Sequence, residues 1–98
     1  MPKMKIRIDS NFVLPGMEGV DEIDLNLPHI KLREVLEELT LRSSGRVKFI
    51  RPMTDFVDPM DFLIEINGLP NSGSKEVLEM GLNEGDLVII KLSPLGGG

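Results

Sequence analysis

The sequence predicts an α+β domain in which a small mixed sheet curls around one main helix. Three observations carry that expectation. Residues 3–9 and 20–27 alternate apolar with polar side chains, the pattern of strands with one wet face. Residues 30–42 change to the period of a helix. Residues 87–92 are apolar almost throughout, as a strand in the middle of a sheet should be. The 98 residues suit one domain with a modest core.

Lys3-Met4-Lys5-Ile6-Arg7-Ile8-Asp9 opens the chain as an amphipathic strand, with Asn11-Phe12-Val13-Leu14 a candidate extension beyond an irregularity at Ser10-Asn11. Pro15-Gly16 marks a turn, and alternation resumes through Ile23, Leu25 and Leu27, so the two strands should pair as an antiparallel hairpin. Pro28 breaks the second strand. From Ile30 to Arg42, Leu32, Val35, Leu36 and Leu39 occupy i, i+3, i+4 and i+7 of a helix. Arg33 to Glu37 is an attractive i+4 pair and Glu34 to Glu38 a repulsive one, so charge adds little net support. Ser43-Ser44-Gly45 ends the helix, with Gly45 as the left-handed residue.

Val47-Lys48-Phe49-Ile50 is a candidate short strand, and residues 51–59 read as loop or a brief helical turn. Phe62 to Ile66 is a second strongly apolar strand, and Asn67-Gly68 is the best hairpin turn in the chain. Leu69-Pro70 starts the return path, residues 71–74 are loop, and Lys75 to Met80 fits either one helical turn or a short strand. Gly81 and Gly85 bracket the turn before the last strand, Leu87 to Leu92. A last strand placed centrally, beside the first, reconciles its uniform apolarity with the alternation of the first strand. That arrangement is a β-grasp. A ferredoxin-like sandwich is the rival, and it lacks a convincing second helix.

Composition narrows the function. A formal charge of −5 disfavours a general nucleic-acid binder and favours a basic protein partner. No apolar run approaches transmembrane length, so no membrane partner is expected, and the basic N-terminus leads into alternation rather than a signal peptide. With no cysteine there is no disulfide, and no thiolate to act as nucleophile or ligand. This is compatible with the cytoplasm, the expected location.

Internal motifs favour no active site. The loop from Gly68 to Lys75 has the glycine spacing of a phosphate-binding loop, but Pro70 removes a donor and no long helix follows. His29, the only histidine, has no cysteine for a zinc site and should be exposed or capping. Asp21, Glu22 and Asp24, and likewise Asp55, Asp58 and Asp61, lack calcium-loop spacing and read as solvated surface. The six methionines are scattered as core filler. The expectation is a chain that binds no metal or cofactor and is not itself an enzyme.

The end of the sequence is the informative part. Ser93-Pro94 closes the last strand, because proline cannot donate to the ladder. Leu95 follows, then Gly96, Gly97 and Gly98. Glycine costs the most backbone entropy to order, so residues 94–98 are expected as a mobile tail on a domain of residues 1–93. Such a tail suits a carboxylate that is threaded into another protein; a frayed end is the other reading of the glycines alone.

Ile64-Glu65-Ile66-Asn67-Gly68, Leu82 through Asp86 with Val88, Pro94 and the terminal Gly97-Gly98 together resemble the ubiquitin-like sulfur carriers: the small subunit of molybdopterin synthase, the thiamine-pathway sulfur carrier and the archaeal ubiquitin-like modifiers. The resemblance implies that an E1-like enzyme adenylates the Gly98 carboxylate with ATP. The product then becomes a thiocarboxylate, with sulfur from an outside donor, or passes through a thioester to a target lysine. It also implies that Pro94, Leu95, Gly96 and Gly97 are read in a narrow channel, with Leu95 as apolar anchor. ATP would be used by that partner, and further partners would be a large synthase subunit or target proteins. The chain would then be a carrier, or a non-catalytic small subunit of a sulfurtransferase complex. Gly96 stands where many such proteins carry a variable side chain, and residues 46–61 are longer than the minimal pattern. The alternative is a β-grasp interaction domain with an inert tail, whose acidic Glu22 and Asp24 steer a partner.

Overall fold

The computed structural model describes residues 4–50, 56–71 and 74–92. In chain order its elements are β1 (Met4–Ser10), β2 (Glu22–Leu25), β3 (Ile30–Lys31), α1 (Leu32–Arg42), β4 (Phe62–Ile66), β5 (Leu69–Asn71), α2 (Lys75–Leu78), β6 (Gly81–Leu82) and β7 (Leu87–Leu92). Five strands form one sheet in the order β2-β1-β7-β4-β5, and β3 with β6 forms a separate two-stranded sheet. β7 lies parallel to β1 and antiparallel to β4. The last strand is therefore central and beside the first, as its uniform apolarity predicted.

The core lies between this sheet and α1. Ile6, Ile8, Ile23, Ile64, Ile66, Val88 and Ile90 point inward from the sheet, and Leu32, Val35, Leu36 and Leu39 meet them as the buried stripe of the helix. Removing these side chains from water is the main favourable term available to so short a chain. Charge on the helix acts locally: Arg42 Nε holds Glu38 Oε2 at 2.8 Å across one turn. Ser43, the one buried polar side chain among the described residues, is satisfied, donating to the Thr40 carbonyl at 2.7 Å and accepting from Val47 N–H at 3.1 Å.

Several boundaries differ from the sequence expectation. The helix starts at Leu32 rather than Ile30, because Ile30 and Lys31 pair with Leu82 and Gly81 as a two-residue ladder. Lys31 is the N-cap, with its N–H bonded to Glu34 Oε1 at 2.9 Å; His29 is exposed and caps nothing. Lys31 Nζ and Arg33 Nε then converge on Glu79 at 3.0 and 2.7 Å, tying the helix start to the segment before β6. The hydrogen bonds from Arg33 and Lys31 hold the Glu79 carboxyl below the usual carboxylate range.

Residues 47–50 form no strand. The Val47 N–H is taken by Ser43 and Phe49 turns inward as a fully buried core residue, so this stretch serves packing instead of a ladder. Nor does β1 continue through residues 11–14, where Ser10 Oγ bonds the Phe12 carbonyl and bends the chain. Residues 75–78 resolve the open choice as a helical turn, capped by Ser74 Oγ accepting from Val77 N–H at 3.4 Å. Because α2 has only four residues, the Gly68–Lys75 stretch lacks the long helix of a phosphate-binding loop. Residues 51–55, including Asp55, lie outside the described residues.

The helix ends on two left-handed residues, Ser44 at φ 58° and Gly45 at φ 78°. Its last carbonyls are also where the β1–β2 connection packs. Gly16, at φ 82°, lies so close that a Cβ there would sit 1.9 Å from the Arg42 carbonyl oxygen. Gly19 has a similar φ of 76° with nothing within 4 Å.

Two substitutions test this packing. Leu36→Ala should lower unfolding free energy by about 2–4 kcal/mol, measured by denaturant titration, because it opens a cavity in a closed core. Gly16→Ala should cost at least about 3 kcal/mol, combining left-handed strain with overlap on the helix end. Gly19→Ala, which carries the strain alone, should cost about 1–2 kcal/mol in the same titration.

Candidate functional site

The expected site residues Pro94, Leu95, Gly96, Gly97 and Gly98 lie outside the described residues, as does Ser93. The structure shows the strand from which they continue. β7 is held along its whole length: Leu87, Val88, Ile89 and Ile90 pair with Arg7, Ile8, Asp9 and Ser10 of β1, while Val88 to Leu92 pair with Ile66 to Phe62 of β4.

Each end of β7 also receives an asparagine side chain. At its start, Asn67 Oδ1 accepts the Leu87 N–H at 2.9 Å, and Asn67 Nδ2 donates to Asp86 Oδ1 at 3.1 Å. Asp86 Oδ2 in turn accepts the Asn83 N–H at 2.8 Å, fixing the turn that enters the strand. Asn67 can do this because it sits left-handed at φ 54° with Gly68 at φ 83°, the two-residue turn the Asn-Gly pair predicted. At the far end, β1 has already stopped at Ser10. There Asn11 Oδ1 accepts the Leu92 N–H at 2.9 Å and replaces the missing strand carbonyl.

An aromatic cluster surrounds this exit. Phe62, the β4 partner of Leu92, has its ring 6.0 Å from Phe12 and 4.9 Å from Phe49. Leu92 itself is 48% exposed. The route out of the domain thus begins at a fixed backbone position beside packed rings.

The outer face of the sheet, opposite α1, carries a short apolar stripe at its centre. Leu87 and Ile89 of β7 lie there with Leu63 of β4, which is 41% exposed. Charged residues flank it. Lys91 Nζ bonds Glu65 Oε2 at 2.9 Å on one side; on the other, Arg7 Nε donates to the Gly85 carbonyl at 2.9 Å and Lys5 pairs with Glu22 at 3.4 Å. Glu22, with the nearby Asp24, raises the Lys5 ammonium above its ordinary pKa. Residues Asp21, Glu22 and Asp24 are exposed, as expected, and among the described residues no group of three or more His, Asp or Glu is arranged to hold a metal ion.

Sequence reading took Asn11 only as an irregularity and Asn67 only as a turn residue, so their side-chain roles were missed. The signal for Asn11 was its position one residue after the alternation fails. The outer stripe was hidden because Leu87 and Ile89 belong to a run in which both faces are apolar.

The chain matches no family model, and no curated protein matches it in sequence. Solved structures do match it in shape. A candidate molybdopterin converting factor, subunit 1, from Pyrococcus furiosus is 23% identical with a TM-score of 0.61, over 91% of this chain and 97% of that one. The HVO 2177 protein of Haloferax volcanii is 19% identical with a TM-score of 0.68, over 97% and 88%. SAMP1 from Haloferax volcanii is 14% identical with a TM-score of 0.63, over 96% and 99%. Two of these names fall in the group that the end of the sequence resembles, and the likeness establishes the fold: the chain is a ubiquitin-like β-grasp domain.

Proposed function

We propose that this chain is a ubiquitin-like carrier whose Gly98 carboxylate is activated by a separate E1-like enzyme. The observation that carries the reading is the anchoring of β7. A strand paired on both sides and held at each end by an asparagine runs in sequence directly into Ser93-Pro94-Leu95-Gly96-Gly97-Gly98. The shared fold with a candidate molybdopterin converting factor subunit and with SAMP1 supports it.

The α-carboxylate of Gly98 is ionised at neutral pH, with a reference pKa of about 3.5. One of its oxygens attacks the α-phosphorus of ATP held by the enzyme; a phosphorus–oxygen bond forms and pyrophosphate departs with the bonding pair. The acyl-adenylate is then open to attack at its carbonyl carbon. Attack by hydrosulfide, with AMP leaving and a proton lost, gives the thiocarboxylate of a sulfur carrier; a persulfide donor gives an acyl disulfide instead, and an external thiol then reduces its S–S bond to release the thiocarboxylate. Attack by an enzyme thiol, followed by a lysine amine, leads to an isopeptide. Gly96 and Gly97, without Cβ atoms, suit a channel too narrow for side chains, and Leu95 gives it one apolar grip.

Extended, the five residues from Pro94 reach roughly 15 Å, so the enzyme must hold the domain close to its nucleotide. The outer stripe of Leu63, Leu87 and Ile89 is the surface assigned to that hold, and docking there turns the meeting of carboxylate and ATP into a local event. The chain supplies no catalytic group of its own and takes ATP only through its partner. A cytoplasmic location suits such ATP-dependent chemistry.

Intact mass of the C-terminal peptide, after incubation with the host's E1-like enzyme, ATP and a sulfur donor, tests the reading. Exchange of oxygen for sulfur at Gly98 identifies a sulfur carrier, and an isopeptide to a target lysine identifies a modifier. A Gly98 carboxylate left untouched by an enzyme that activates a control carrier would leave only the inert interaction domain. Gly98→Ala should fold normally and be adenylated poorly. Leu95→Ala should raise KM about tenfold, the scale of one lost apolar contact, with an unchanged thermal midpoint.

A further inference from the structure

Of the asparagines in the chain, only Asn67 is followed by glycine. An asparagine in that setting carries a reaction of its own. The backbone nitrogen of the next residue attacks the side-chain carboxamide carbon, and glycine, with no Cβ, leaves that nitrogen open. Both residues are exposed, Asn67 at φ 54° and Gly68 at φ 83°. Nothing lies within 4 Å of where a Cβ would stand on Gly68, and its N–H donates to no described residue. The nucleophile is therefore open to water, which has to take its proton.

The carboxamide, by contrast, is occupied. Its Oδ1 accepts the Leu87 N–H at 2.9 Å and its Nδ2 donates to Asp86 Oδ1 at 3.1 Å. The Asn67 N–H donates to the Leu87 carbonyl at 2.8 Å, so side chain and backbone are held together. Closing a ring between Gly68 N and Asn67 Cγ requires the carboxamide to leave both partners. The reaction therefore waits on local opening of the turn. The neighbourhood also sets what the reaction does. Nδ2 faces a carboxylate, so replacing it by oxygen removes the donor between the two side chains and sets like charges at hydrogen-bond distance.

We propose that Asn67 is a site of spontaneous deamidation that its own clamp slows, and that conversion there loosens the start of β7. Water or hydroxide takes the Gly68 amide proton. The nitrogen's electron pair forms the bond to Asn67 Cγ, and Nδ2 takes up a proton and leaves as ammonia. Water then opens the cyclic imide at either carbonyl, giving aspartate or isoaspartate at position 67. Isoaspartate also lengthens the backbone of a tight two-residue turn whose φ values are both set. The reaction needs water alone, so the site does not rest on the carrier reading. Its consequence falls on β7, the strand that runs in sequence toward Gly98.

The test follows the purified full chain in mildly alkaline buffer by peptide mass and fragmentation. Asn67 should convert to both aspartate and isoaspartate, the pair that the cyclic imide yields, and faster in urea than in the folded chain. Asp86→Ala, which frees Nδ2, should speed conversion in the folded chain at least about fivefold, the scale of one hydrogen bond. Asp86→Asn, with one acceptor for the Asn67 and Asn83 donors, should fall between the two, and it serves in place of Asp86→Ala if that chain does not fold. Asn67→Asp should lower the thermal midpoint by about 2–4 °C, the shift for a hydrogen bond at the weak end of its range, and speed amide exchange at Leu87. Conversion no faster in the folded Asp86 variants than in the wild type, or aspartate without isoaspartate, overturns the clamped site. An Asn67→Asp chain as stable as the wild type, with Leu87 exchange unchanged, overturns the effect on β7. No readout involves Gly98, so failure of the carrier reading leaves each of these results standing.

Discussion

Everything in this molecule depends on β7 being the middle strand. A central strand must bury both of its neighbouring edges in hydrogen bonds, and β7 does so with the first strand in parallel and with β4 in antiparallel. The parallel pairing needs the long crossover that contains α1, so the helix has one face of the sheet to cover. Its leucine stripe then closes the core. The two flanking hairpins add β2 and β5 as short edges. β2 is charged on its outer face and β5 contains Pro70, devices that discourage pairing with other chains. Pulling on the end of this chain therefore pulls on the best-anchored element of the fold.

Much of this was legible from residues alone. Period and apolarity located β1, β2, α1, β4 and β7, and the contrast between Lys5-Ile6-Arg7-Ile8 and Leu87-Val88-Ile89-Ile90 placed the last strand beside the first. What was not legible depended on partners distant in sequence. Ile30-Lys31 reads as the opening of a helix until Gly81-Leu82 is laid against it. Phe49 reads as a strand residue until the space under Phe62 needs a ring. Asn11 accepts from Leu92, which is 81 positions away, and no local pattern announces such a bond. The candidate site follows the same rule. Its proposed tail was read from the terminal glycines and a family resemblance, whereas the clamps and the outer stripe exist only once the sheet is assembled.

Polar groups divide into those that serve the fold and those that do not. The Asn67 side chain, the Asp86 carboxylate and the Asn83 backbone form a linked set of hydrogen bonds at the entry of β7. Glu79 gathers Lys31 and Arg33 at the base of the helix. Asp9, Glu18 and Asp21 line one groove and, like Glu37 and Glu76, pair with no cation among the described residues.

The central claim is that the folded domain exists to present its C-terminal carboxylate to an adenylating enzyme. The most direct measurement is exchange of labelled pyrophosphate into ATP by the host's E1-like enzyme, with either the whole chain or the free peptide Pro94–Gly98 as the carboxylate source. The whole chain should support exchange at low micromolar concentration, and the peptide should reach the same rate only at concentrations higher by about a hundredfold or more, the scale on which a tethered second contact adds to binding. Equal exchange from peptide and chain, or none from the chain, would contradict the claim.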